Sequence, residues 1–247
     1  MPNCIRKSGQ EPTNTRVSCD PSFLSGDVFS RAWDINNTAG WNYELSGATE
    51  QLVNQSGYVS SIAGGYAATS HYARIRRRMP ETDGFVATKK VCAYAEFMLP
   101  NDFYTRQESY MRIITLSNFA TALGGANDVD EWRVGFTIYG SDQLFRLTSD
   151  HQNNSDLVLW TNNQQLSTGV IHKVELCIDP SQTNGAWMLC IDGTIVGSGT
   201  NTPTVPPTLD PDEIVITRAI VGIDGAANQT STDVQVDVYS FEFIAEI

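Results

Sequence analysis

Long hydrophobic runs are absent from the 247-residue chain, and no segment approaches the roughly 18 consecutive apolar residues of a membrane-spanning helix. The N-terminus carries charges between Met1 and Lys7, but no apolar segment of a secretory signal follows them. We therefore expect no membrane partner, and we expect the chain to remain in the compartment where it is synthesised.

Basic residues are scarce: 16 Lys and Arg stand against 28 Asp and Glu, which gives a formal net charge of −12. The first 110 residues are neutral, with 11 charges of each sign, whereas residues 111–247 hold 5 basic and 17 acidic side chains. DNA-binding proteins need a cationic face for the phosphates, so we expect no nucleic-acid partner. The uneven charge instead predicts association between acidic and basic surfaces that salt weakens.

Cysteine is infrequent and lacks a recognisable pattern. The five cysteines include no Cys-x-x-Cys pair and no Cys/His spacing that suits zinc. Cys92, Cys177 and Cys190 each lie in an apolar, strand-like run, where a free thiol behaves as a small hydrophobe. The sequence therefore predicts reduced core cysteines, no metal and no cofactor, with a Cys177–Cys190 bridge as the alternative for the thiols.

Helical periodicity is also missing, and runs of alternating apolar and polar residues recur along most of the chain. Trp132, Val134, Phe136 and Ile138 share one face of such a run. This pattern predicts an all-β chain. We find no internal repeat and no long linker, so residues 21–247 are predicted to form one domain that follows an N-terminal arm of residues 1–20.

Two segments give sharper local predictions. A meander is expected from residue 172 to residue 199, because the alternating strand around Val174 is followed by Trp187 to Ile191 and then by Asp192-Gly193, a pair suited to a type I′ turn. Near the C-terminus, three alternating valines at 234–238 are followed by Phe241 and Phe243 in the opposite parity. A β-bulge near Tyr239 and Ser240 would place both halves on one face.

The arrangement resembles the concanavalin A-like, laminin-G-like jelly roll. The resemblance rests on aromatic residues around Trp33 and Trp41, the strand from Val91 to Pro100, the Trp187 to Val196 hairpin, and a closing strand pair. It implies an antiparallel two-sheet sandwich. Members of this superfamily include lectins, glycoside hydrolases, polysaccharide lyases and surface modules of cells and virions, so the resemblance indicates fold more than activity.

The enzyme motifs of these families are not found in the sequence. A retaining glucanase needs two carboxylates on one strand face, but in Asp128-Val129-Asp130-Glu131 the last two acids adjoin and point to opposite faces. Strings resembling the Arg-x-Glu-x-Arg and Gln-x-His of lyases do not occur. The acidic loops around Asp128 and Asp210 fit solvated loops better than calcium sites, and the histidines, His71, His151 and His172, are expected at the surface or in loops.

One strand nevertheless carries an enzyme-like constellation. The candidate ligand-binding residues are Tyr72, Arg74, Arg76, Arg78 and Trp160. The first four share one strand face, where a cationic surface could hold an acidic polysaccharide while Tyr72 acts as a base. The alternative is a solvated edge strand whose charges prevent aggregation. Trp160 lies at the end of a strand, before a polar loop. Its side chain is expected either to stack on a sugar ring or to pack in the core.

These observations predict a protein that is not an enzyme. The leading hypothesis is a phage virion component, either a capsid decoration or a tail adhesion module, made in the host cytoplasm. Its partners would be other virion subunits or copies of itself, and a surface glycan. The alternatives are a free-standing, extracellular lectin-like protein and, third, a polysaccharide lyase or glycoside hydrolase that uses Tyr72.

Overall fold

The computed structural model describes residues 19–24, 28–46, 50–63, 71–78, 90–106, 111–117, 132–138, 142–151, 157–179, 186–200, 218–226 and 233–246. Within these ranges the chain is almost entirely β-strand, as the sequence predicts, and all strand pairs are antiparallel. A four-residue helix, α1, spans Phe103–Arg106. No helix in the described part of the chain is long or apolar enough to cross a membrane.

The strands form two sheets. Sheet A contains β1 (Val28–Asp34), β3 (Gln51–Asn54), β4 (Val59–Ala63), β6 (Val91–Met98), β11 (Ile171–Asp179), β12 (Ala186–Ile191), β13 (Thr194–Thr200) and β15 (Val234–Glu246). Sheet B contains β2 (Asn42–Ser46), β5 (His71–Arg78), β7 (Met111–Ser117), β8 (Trp132–Ile138), β9 (Phe145–His151), β10 (Leu157–Thr161) and β14 (Arg218–Ala226).

The order of strands follows from these pairings. Sheet A runs β13-β12-β11-β6-β15-β4-β3, with β1 paired to β15, and sheet B runs β10-β9-β8-β7-β14-β5-β2. Alternate residues of facing strands fill the space between the sheets, for example Phe97 of sheet A and Phe136 of sheet B, whose ring centroids lie 6.3 Å apart. Among the described residues, the larger hydrophobic core is therefore the interior of a two-sheet sandwich.

The long strand β15 contains the predicted bulge. Its register on β6 shifts between Val238 and Ser240. Because of this extra residue, Val236 and Val238 before the shift and Phe241 and Phe243 after it are all buried in the core. On its other side β15 pairs first with β4, over Val234 to Val238, and then with β1, from Ser240 onward.

The predicted meander and turn are confirmed. Strands β11, β12 and β13 are neighbours in sheet A, and the turn residues Asp192 and Gly193 have φ values of 51° and 81°. Left-handed backbone at both positions is the requirement of a type I′ turn. Asp192 also holds the turn to β11, because its Oδ1 accepts a hydrogen bond of 2.8 Å from the Lys173 backbone N–H.

The prediction of reduced cysteines is wrong, because the structure contains two disulfides. Cys92 and Cys177 are direct cross-strand partners on β6 and β11, with Cα atoms 4.1 Å apart, and Cys19 is bonded to Cys190 on β12. These cysteines lie on the outer side of sheet A. Residues 19–24, part of them within the predicted arm, lie there too, and Phe23 and Leu24 pack against Cys92 and Cys177.

Candidate functional site

The outer side of sheet B carries a set of arginines that we call the arginine face: Arg74 and Arg76 on β5 and Arg112 on β7. On β5 the alternate residues Ala73 and Ile75 are fully buried in the core. Successive strand residues point to opposite sides, so Tyr72, Arg74 and Arg76 project away from the core, as the sequence predicts.

Glu44 of β2 joins the two arginines of β5. Its Oε2 lies 3.0 Å from Arg74 Nε and 3.0 Å from Arg74 Nη2, and its Oε1 contacts Arg76 Nη2. Arg74 is buried, whereas the side chain of Arg76 is 17% exposed. The pair thus already holds one carboxylate, and Arg76 is the member that reaches solvent.

Two further polar groups lie beside this pair. The guanidinium carbon of Arg74 is 3.9 Å from the centre of the Tyr72 ring, a cation–π contact. Asn42 is the cross-strand partner of Arg76 on β2 and is exposed. The Tyr72 phenol thus contacts Arg74, while Asn42 lies four residue pairs further along the same β2–β5 ladder, opposite Arg76.

Arg112 extends the arginine face beyond the next strand. A Cβ atom at Gly135 of β8 would lie 2.9 Å from Arg112 Cδ, so the arginine stem occupies the space above that glycine. Thr137 and Thr148 continue this outer side with hydroxyl oxygens 2.8 Å apart. Strand β14, with Gly222 opposite Arg74, separates the arginines of β5 from Arg112.

The alternative that treats β5 as a solvated edge strand is wrong. In sheet B, β5 lies between β14 and β2 and is hydrogen-bonded on both sides. Its charges therefore do not protect a free edge, and Arg74 is held by an ion pair instead.

Several residues that the sequence singles out do not lie at the arginine face or lie outside the described residues. The side chains of Arg78, His71 and His151, and the acidic loops around Asp128 and Asp210, lie outside the described residues. Trp160 is half-buried and packs against the core, with its Cδ1 2.7 Å from the position that a Cβ of Gly197 would take. It fills the space between β10 and β13, and its sugar contact stays a prediction.

The prediction that His172 lies at the surface or in a loop is wrong. His172 lies in β11, is buried, and packs near Phe97 in the core. Its Nδ1 is 2.8 Å from Asp192 Oδ2 and its Nε2 is 2.9 Å from the Ser167 carbonyl oxygen. Both ring nitrogens are used within the fold, so His172 is a structural residue.

Glu44, Asn42 and Arg112 are not among the residues that the sequence predicts for the site. Asn42 and Glu44 alternate with Tyr43 and Leu45 in one short run, which is the signal that would have placed them on a shared strand face. No sequence pattern indicates that β2 pairs with β5, and that pairing brings Glu44 to the arginines.

Solved structures with the same fold include lectins and enzymes. An endo-β-1,4-glucuronan lyase from the fungus Trichoderma reesei matches with a TM-score of 0.59 and 17% identity, over 88% of this chain and 93% of that one. An endo-1,3-β-glucanase from Streptomyces sioyaensis matches with a TM-score of 0.56 and 14% identity, over 94% and 99%. Peanut lectin matches with a TM-score of 0.54 and 10% identity, over 89% and 97%.

No protein-family model and no curated protein matches the sequence. The chain has the concanavalin A-like jelly-roll sandwich that lectins, glucanases and polysaccharide lyases share, so the predicted fold class is confirmed. Identities this low show the fold alone.

The comparison contradicts the prediction that the protein is not an enzyme. A lyase and a glucanase both share this fold over nearly their whole length. Short motif strings are a poor guide at 17% and 14% identity, because residues that a sheet brings together need not be close in the sequence.

Proposed function

We propose that the protein is a carbohydrate-active enzyme, a polysaccharide lyase that cleaves an acidic polysaccharide at the arginine face. The observation that carries the proposal is the cluster of Tyr72, Arg74 and Arg76, in which the two arginines bind one carboxylate and the phenol ring contacts Arg74. The likeness of the fold to a glucuronan lyase supports it.

The arginine pair suits a uronate carboxylate. Guanidinium groups bind carboxylates through paired, charge-assisted hydrogen bonds, and the pair shows this chemistry with Glu44. Arg112 lies one strand beyond β14, about 10 Å from β5 at the usual strand spacing. Arg112 is buried, so a polysaccharide that crosses these strands would meet Arg76, the partly exposed arginine of the face.

The chemistry is a β-elimination. A carboxylate held by Arg76 carries less negative charge, which makes the proton on the neighbouring C5 of the uronate easier to remove. Tyr72 can act as the base only by reacting as a phenolate, whose oxygen takes this proton while the C4–O4 bond breaks and a C4=C5 double bond forms. The proton then passes to O4, so the phenolate is restored and one glycosidic bond has become an unsaturated end and a hydroxyl.

Glu44 competes with the substrate in this scheme. Its carboxylate occupies donors of both arginines, so a uronate must share or displace it. Replacing Glu44 by Gln removes the competing charge and keeps an oxygen that can accept from Arg74. We expect the KM for the acidic polymer to fall in Glu44→Gln.

The test is incubation with polyglucuronate, alginate and polygalacturonate, followed by the ultraviolet absorbance of the unsaturated product. We expect product from one of them and a loss of kcat of at least about a hundredfold in Tyr72→Phe, the size of a general-base contribution. The matched control is Tyr43→Phe, which changes an exposed tyrosine on the neighbouring strand. The absence of product from all three polymers, or full activity in Tyr72→Phe, would overturn the proposal.

The virion location and the virion or self partners stay predictions. They rest on sequence features alone, and a lectin-like role without catalysis rests on the likeness of the fold to peanut lectin, whereas the arginine face is an arrangement of described side chains. A glycan that binds without being cleaved, with the same affinity in Tyr72→Phe, would be the outcome that favours binding alone.

A further inference from the structure

A groove lies on the opposite side of the sandwich, on the outer side of sheet A, and we call it the sheet A groove. It has a volume of about 450 Å³. The residues that line it and matter below are Asp34, Tyr94, Glu96, Lys173, Tyr239 and Glu242. Its size falls within the roughly 300–1,000 Å³ of small-molecule sites.

The groove follows from the way β15 changes partners. On one side β15 pairs with β4 up to Val238 and with β1 from Ser240 onward, so Tyr239 stands between the two partners at the bulge. The end of β1, at Asp34, and Gly57 in the turn before β4 border this position. The depression is thus built into the sheet.

Aromatic and polar side chains line this depression together. Tyr239 packs on Tyr58 with ring centroids 5.1 Å apart, and Tyr94 stands on the neighbouring strand β6. Burial, and to a smaller extent Asp237 and Tyr58, raise the pKa of Tyr239. Its hydroxyl therefore stays protonated and donates to Met98 Sδ at 3.9 Å, while the ring offers an apolar surface.

The charged groups are held in place by the fold. Tyr94 donates a hydrogen bond of 2.8 Å to Glu96 Oε1, and Lys173 Nζ lies 3.3 Å from the same oxygen. Glu242 Oε1 accepts a hydrogen bond of 2.5 Å from Ser30. Each carboxylate keeps a second oxygen that could accept from a ligand, and Lys173, whose side chain is 60% exposed, supplies a donor.

This combination matches an uncharged sugar. Sugar rings present apolar faces to aromatic side chains and hydroxyl donors to carboxylates. Three carboxylates, Asp34, Glu96 and Glu242, line the groove with one ammonium group, Lys173, so an acidic sugar would be repelled. The preference is the opposite of that of the arginine face.

We propose that the sheet A groove is a second saccharide site, separate from the arginine face, which binds an uncharged oligosaccharide. The proposal does not rest on the lyase activity, because it concerns binding on the other sheet. An enzyme with both sites would hold a mixed glycan, such as that of a cell wall, by its neutral part while it acts on the acidic part.

The test is isothermal titration of the full chain with cellohexaose, xylohexaose, mannohexaose and chitohexaose. We expect millimolar or tighter binding of at least one, and at least a tenfold loss of affinity in Tyr94→Ala and in Glu242→Gln. The matched control is Tyr43→Ala, which removes an exposed tyrosine from sheet B and should keep full affinity. Thermal unfolding of each variant checks that the fold is retained.

Three results would overturn the proposal: no binding of any hexasaccharide at millimolar concentration, binding that both groove variants retain, or equal binding of a glucuronate hexasaccharide that the groove variants lose. The lyase proposal is judged separately, by product formation in the same groove variants, which should be unchanged. Failure of one proposal is therefore distinguishable from failure of the other.

Discussion

One buried serine, Ser61, joins the two sheets by hydrogen bonds. Ser61 of β4, in sheet A, donates a hydrogen bond to the Ala73 carbonyl of sheet B and accepts one of 2.9 Å from the Ile223 backbone N–H. The second bond is available because β14 changes register near Gly222, which has a φ of 104°. One hydroxyl therefore satisfies two backbone groups that would otherwise be buried without partners.

Ser61→Ala should lower the free energy of unfolding by about 1–3 kcal/mol, because it leaves a buried N–H and a buried carbonyl without their hydroxyl partner. Urea unfolding measures this. The control, Ser198→Ala, changes an exposed serine on β13 and should stay within about 0.5 kcal/mol of the parent. Equal stability of the two variants would contradict the role of Ser61.

Tyr104 should make stability depend on alkaline pH. Burial raises its pKa to about 12, and its hydroxyl donates a hydrogen bond of 2.9 Å to the Leu166 carbonyl. The folded pKa is above the unfolded value of about 10, so the stabilisation is complete below pH 10 and is lost as pH rises from 10 through 12.

Urea unfolding between pH 9 and pH 12 tests this dependence. The parent chain should lose stability more steeply over this range than Tyr104→Phe, which has no phenol to ionise. Identical slopes for the two chains would show that Tyr104 ionises in the folded protein as easily as in the unfolded one.

Among the elements, the β11–β12–β13 meander shows how much local sequence can specify. Its strands, their order and its turn were all predicted, because alternation and the Asp192-Gly193 pair are local signals. Strands β3 and β7 were not predicted. All seven residues of β7 are buried, so it shows no alternation between buried and exposed positions, and β3 has only four residues.

Asp192→Ala should destabilise the protein by about 2–4 kcal/mol, because alanine is strained at a φ of 51° and removes the carboxylate beside His172 and Lys173. Asp192→Asn should cost less, since asparagine tolerates this backbone and keeps an oxygen for the Lys173 N–H. Thermal unfolding of both variants measures this difference in stability. An alanine variant as stable as the asparagine variant would contradict the prediction.

At the scale of the whole molecule, the disulfides close long stretches of chain. Cys92–Cys177 spans 85 residues and Cys19–Cys190 spans 171. A disulfide that closes a long loop removes conformational entropy from the unfolded chain, and each of these bridges should raise the free energy of unfolding by about 2–5 kcal/mol. Disulfides form and persist in oxidising surroundings, so the bridges require such surroundings or an oxidant to form.

Alkylation of the unfolded chain without reductant should label one of the five cysteines, and labelling after reduction should reach all five. Mass spectrometry counts the labels. The oxidised chain should also unfold at a higher temperature than the reduced one. Five labels without reductant would show that the bridges do not form in the purified protein.

The sequence by itself determined what local spacing can encode: the all-β class, the meander, its turn, the β15 bulge, and the shared face of Tyr72, Arg74 and Arg76. These follow from alternation and turn chemistry over a few residues. Only the tertiary structure decided which strands are neighbours. The β2–β5 pairing brings Glu44 to the arginines, the β6–β11 pairing joins Cys92 to Cys177, and the change of partner along β15 opens the sheet A groove. Contacts between strands far apart in the chain have no local signal, because any alternating strand can pair with many others.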